Sequence, residues 1–108
     1  MSKVERFEDL RCWQEARSLV KEIYLIAEYG KLARDFDTRS QLRRAALSAM
    51  NNIEVGFGKY SSKEFIRYLD TASNSASEVK SILYVLLDLH YLELDKIIAL
   101  QNKHGPLP

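Results

Sequence analysis

The residues best equipped for chemistry are cations. Arg39, Arg43 and Arg44 stand close together, and Lys59, Tyr60, Lys63 and Arg67 follow within the same third of the chain. Arg39 and Arg43 are four residues apart and share one face of a helix, while Arg44 lies about 100° further round. A guanidinium grips a phosphate through two parallel hydrogen bonds, so such a set suits a nucleic-acid backbone and implies binding that weakens steeply with salt. Lys59, Lys63 and Arg67 flank a predicted helix start whose backbone donors also favour anions, and Tyr60 offers a ring on which a base can stack. The bland alternatives are equally concrete. The arginines can form a structural ion-pair set with Glu54, Glu78 or a neighbouring subunit, and the lysines can line a solvated helix face.

The whole molecule is nearly neutral, with 16 Lys and Arg against 15 Asp and Glu in 108 residues. Any attraction to a polyanion must therefore be local. From Thr38 to Arg67 six basic residues face only Glu54 and Glu64, a local excess of +4. Enzymatic machinery is not visible: there is no phosphate-cradling glycine loop, no H-E-x-x-H pair and no nucleophile elbow. His90 and His104 lack companions at metal-ligand spacing, and the single Cys12 permits no internal disulfide. No metal, cofactor or small-molecule substrate is expected. The N-terminus lacks the apolar core of a signal peptide and no apolar run is long enough to span a bilayer, so the expectation is a cytoplasmic protein without membrane contact.

Four helices must position these side chains within one domain spanning residues 1–108. Leu10, Trp13, Ala16, Val20, Ile23 and Ala27 recur at helical spacing from about Glu8 to Tyr29, with Glu8 and Asp9 in the first turn and Gly30 as the expected C-cap. A connector to Asp37 follows, with Phe36 expected to plug the end of the core. Thr38 and Gln41 have the form of a capping box, and Leu42, Ala45, Ala46, Ala49, Met50 and Ile53 form the stripe of helix two, which Gly56 and Gly58 are expected to end. Its alanines and serines allow a neighbouring helix to approach closely.

Ser61 and Glu64 form a clearer capping box, opening a third helix of some 28 residues, about 42 Å long. A break after Leu89 is inferred from length, leaving a short fourth helix from Leu94 to His104. Among the polar residues, Asn51 and Asn52 are expected to make a buried interhelical hydrogen bond, and Trp13 and Tyr24 to pack in the core or an interface.

Phe7, Leu10, Trp13, Gln14 and Ala16 form the pattern F-x-x-L-x-x-W-x-x-A. With Gln41, Leu42, Arg43, Arg44, Ala45, Ala46, Ser48, Asn52, Ile53 and Gly56, then Ser61, Lys63, Glu64, Phe65, Leu69, Ala72, Ser75 and Glu78, the chain resembles the bacterial four-helix-bundle proteins encoded within intervening sequences of 23S rRNA genes. The resemblance covers roughly residues 7–92. It implies an all-α, antiparallel up-and-down four-helix bundle that assembles as a homo-oligomer, with pentameric rings among the known forms. It makes Trp13, Asn52, Gly56, Ser61 and Glu64 structural, and the gene location suggests RNA as a partner.

Three departures stand out. The family's N-I-A-E-G is here Asn52, Ile53, Glu54, Val55, Gly56, which moves the acid one position; a glycine common between helices three and four is His90; and the last helix is short. The leading expectation is a non-catalytic homo-oligomer binding structured RNA, including rRNA, through a basic corner at helices two and three. The alternative is a structural or protein-interaction scaffold.

Overall fold

The protein is described by a computed structural model covering residues 4–104, with side chains described up to residue 100. It is an all-α helical bundle. A 3-10 turn, Phe7–Asp9, precedes α1 (Arg11–Ile26), α2 (Gly30–Arg34), α3 (Phe36–Phe57), α4 (Ser62–Asp88) and α5 (Leu94–His104). The four long helices are those expected, and α5 contains the expected Leu94, Ile97 and Ile98 and ends at His104. The five-residue α2 lies within the expected connector, where a single buried apolar residue, Leu32, gives no periodic signal. None of the helices is long and apolar enough to cross a membrane among the described residues.

The helix ends show where local signals were misread. Glu8 and Asp9 lie in the 3-10 turn, and α1 begins only at Arg11. Gly30 does adopt a left-handed φ of 64°, but it opens α2, while Ala27 caps α1. Helix α3 starts two residues before Thr38. Its N-cap is Asp35, whose Oδ1 accepts from the Thr38 backbone N–H at 3.2 Å while Thr38 Oγ1 donates to Oδ2 at 2.9 Å. A carboxylate outcompetes the Thr38–Gln41 box because it can accept both bonds at once. Phe36 does not plug the core: it is 66% exposed. Ser61 does cap α4, accepting from the Glu64 N–H at 3.1 Å, although the Glu64 carboxylate turns to Arg67 at 3.3 Å.

Packing follows a closed circuit of neighbours. Helix α3 lies against α1 and α4, and α5 touches both α1 and α4. Along the α3–α4 seam Gln41 meets Glu78, Ser48 meets Ser75, and Gly56 meets Tyr68 and Phe65. Residue numbers rise on one helix as they fall on the other, so these two helices run in opposite directions. The main core gathers Leu19, Ile23, Leu42, Val79, Leu83 and Leu86 with Ile97 and Leu100 of α5. At about 1.5 Å per residue the 11-residue α5 spans about 16 Å against about 40 Å for α4. Trp13, Phe65 and Leu69 accordingly stay only half-buried.

Candidate nucleic-acid interface

Helix α3 carries Arg39, Arg43 and Arg44 in its first half, where the aliphatic core fixes its position. Arg39 is half-buried: its Nη1 donates to the Ala33 carbonyl at 3.2 Å and its guanidinium carbon lies 5.7 Å from the Phe36 ring centre. Arg43, also half-buried, sits over the Tyr24 ring of α1 at 4.6 Å, within cation–π range. The Nε of each is buried without a hydrogen-bond partner. Arg44 is exposed. The ion pairs described are Arg6–Glu8, Arg11–Glu15 and Arg67–Glu64, so among the described residues none of the three arginines is paired with Glu54, Glu78 or another carboxylate of its own chain. Arg44 and Glu78 nevertheless line one cleft without reaching ion-pair distance.

The second cationic set lies elsewhere. Gly56 is thirteen residues beyond Arg43 on the same helix, about 20 Å along its axis. Lys59, Tyr60 and Lys63 follow it around the turn, all exposed; the Lys59 ammonium sits 5.3 Å from the Tyr68 ring centre, and Arg67 is held by Glu64. The expected single basic corner is thus two basic ends of one helix pair. Gly56 is not a terminator as expected but a buried contact point inside α3: a Cβ there would meet Tyr68 Cβ at 2.5 Å and Phe65 Cδ1 at 3.1 Å. Gly58 caps the helix.

Between these ends the seam is polar. Asn52 is half-buried, but its amide donates within its own helix, to the Ser48 carbonyl at 2.8 Å and Ser48 Oγ at 3.1 Å. The link across the seam is made instead by Ser48 Oγ and Ser75 Oγ, 2.8 Å apart. Asn51 is exposed. Gln41 Nε2 donates to Glu78 Oε2 at 3.3 Å above that pair. An open cleft of about 320 Å³ lies here, lined by Gln41, Arg44, Ala45, Ser48, Ser75 and Glu78. Apart from the expected meeting of the arginines with Glu78, this grouping is not visible in residue types, because it depends on interhelical register.

Two further residues escaped sequence reasoning altogether. Tyr91, in the turn after α4, donates its hydroxyl to Asp35 Oδ2 at 3.0 Å, tying that turn to the start of α3. The Thr38 hydroxyl, the Thr38 backbone N–H and Tyr91 all donate to Asp35, which holds its carboxyl below the usual range, and the same bond raises the Tyr91 phenol. D-x-x-T ahead of an apolar stripe signals the cap; nothing in sequence signals Tyr91. Trp13 packs edge-on to Phe7 at 5.0 Å, with Arg17 5.7 Å from its ring centre, and so anchors the N-terminal turn. Glu54 and Val55, where the acid has shifted, are both exposed. Among the described residues no group of three or more His, Cys, Asp or Glu is placed to hold a metal ion.

A helical bundle with unpaired guanidiniums fixed on one helix defines a class rather than a protein. The family model for 23S rRNA-intervening sequence proteins matches residues 8–106, and the chain belongs to that family. No curated protein and no solved structure matches it.

Proposed function

We propose that this protein is a non-catalytic, homo-oligomeric member of its family, an antiparallel up-and-down four-helix bundle that binds structured RNA through the arginine end of α3. The observation that carries this reading is that, among the described residues, no carboxylate pairs with the three guanidiniums, two of which are half-buried beside Phe36 and Tyr24. Cations already held in place lose little side-chain freedom when they meet a phosphate, and guanidinium suits it bidentately. The family's link to 23S rRNA genes favours RNA over other polyanions. Lys59 and Lys63 extend the basic surface for a ligand longer than about 20 Å.

Homo-oligomerisation is supported by the mismatch between α4 and α5. The end of the bundle that α5 does not reach leaves Trp13, Phe65 and Leu69 half-buried, and Ile66 is 57% exposed. A second copy would cover that surface, and the cytoplasm is the compartment in which such an RNA partner is found.

The test is fluorescence anisotropy of a labelled structured RNA across salt concentrations, with sedimentation velocity on the same samples. Binding whose log–log salt slope is steeper than about −2, from a species larger than a monomer, is expected. Absence of binding above background at low salt overturns the RNA reading and leaves the scaffold alternative. A stable monomer at micromolar concentration overturns the assembly.

A further inference from the structure

The cleft between α3 and α4 differs from the arginine face beside it in carrying a carboxylate opposite a guanidinium. Arg44 and Glu78 line it together with Gln41, Ala45 and the Ser48–Ser75 pair. Arg44 is exposed and unpaired, and Glu78 accepts one long hydrogen bond, 3.3 Å, from Gln41. A phosphate is a poor occupant, because Glu78 repels it. A ligand that suits both walls must offer acceptors to Arg44 and donors to Glu78.

We propose that this cleft is a reading pocket for one unpaired guanine base. Guanine is the nucleobase that presents two acceptors, O6 and N7, on one edge and two donors, N1–H and the N2 amino group, on the adjoining edge. The acceptor pair matches a guanidinium and the donor pair matches a carboxylate. Adenine places an amino donor where Arg44 needs an acceptor, and uracil offers Glu78 a single donor flanked by two carbonyls. Cytosine offers Glu78 only one amino group, so it ranks second. The Gln41 amide donates to Glu78 at 3.3 Å, and the part-buried Ser48–Ser75 pair and Ala45, which adds little bulk, complete the lining.

This inference rests on the RNA reading, and gives it the base preference that phosphate contacts alone cannot supply. The probes are GMP, IMP, which lacks the N2 amino group, and AMP, titrated into full-length protein and followed by amide chemical shifts of Ala45, Ser48 and Ser75. GMP is expected to bind about tenfold tighter than AMP, with IMP between them, because only guanine satisfies both the guanidinium and the carboxylate. Glu78→Gln should abolish the preference for GMP over IMP. Both Glu78 and Arg44 are exposed, and circular dichroism of the variant verifies its fold. Equal binding of GMP and AMP, or no shift at these amides while the protein still binds structured RNA, overturns the guanine pocket and leaves the RNA reading intact. Loss of RNA binding and nucleotide binding together overturns both.

Discussion

The two ends of the α3–α4 pair are held by different means. At the arginine end large aliphatic side chains from all five α-helices meet, and Asp35 ties the start of α3 to the turn after α4 through Thr38 and Tyr91. At the glycine end α5 is absent, and the two helices meet through Gly56 lying directly on Tyr68. One end gains stability from burial of bulk and the other from close backbone approach. The cations follow the same division. Arg39 and Arg43 are half-buried beside aromatic rings, whereas Lys59, although 5.3 Å from the Tyr68 ring centre, and Lys63 are exposed around a turn. The half-buried guanidiniums have less side-chain freedom to lose on meeting a phosphate.

Four substitutions or conditions would break or sharpen that contrast, read by denaturation at fixed protein concentration because assembly and stability are linked. Leu83→Ala empties a side chain that is 1% exposed at the centre of the core, and should cost about 2–5 kcal/mol. Gly56→Val acts by the opposite route: its side chain would drive into Tyr68 and Phe65, with an expected loss of about 1–3 kcal/mol. A Gly56→Val protein as stable as wild type would show that the glycine end is loose. His90→Gly should stabilise by about 1 kcal/mol, because His90 has φ 59° and a side chain is disfavoured there.

The smallest effect concerns Asp35. Its folded-state carboxyl is lowered by the Thr38 and Tyr91 hydrogen bonds, so its stabilising contribution is present above the unfolded value near 3.9 and is lost as pH falls through the lowered folded value. Melting temperature should fall less steeply below about pH 4 in Asp35→Asn than in wild type. Parallel curves would show that the tie does not depend on the charge.

The helices were legible wherever an apolar period and a capping residue agreed, as at Ser61 and along α4. Where two capping signals competed, at Asp35 and Thr38, a single pattern could not decide, since the stronger acceptor wins only through its geometry. His90 shows a different gap. The backbone N–H of Tyr91 reaches the Leu86 carbonyl at 2.8 Å and that of His90 reaches Leu87 at 3.1 Å, a glycine-type helix ending built without glycine. The turn was therefore inferable from helix length but not from residue type. The candidate site was legible as residue types and illegible as an arrangement. Arg43 and Lys63 looked like one corner because they are near in sequence around a turn, yet the long rise of α3 separates them, and the same register gathers Gln41, Ser48, Ser75 and Glu78 into a cleft.

The central claim is that fixed guanidiniums at the arginine end, and not charge in general, bind RNA. Its most direct measurement compares the salt-dependent RNA affinity of Arg43→Ala, which removes the half-buried guanidinium over Tyr24, with that of Arg17→Ala, which removes an exposed one on α1 beside Trp13. Arg43→Ala should weaken binding and reduce the log–log salt slope by about one, while Arg17→Ala leaves both unchanged. Equal losses from the two variants, or wild-type protein that binds no RNA, would contradict the account.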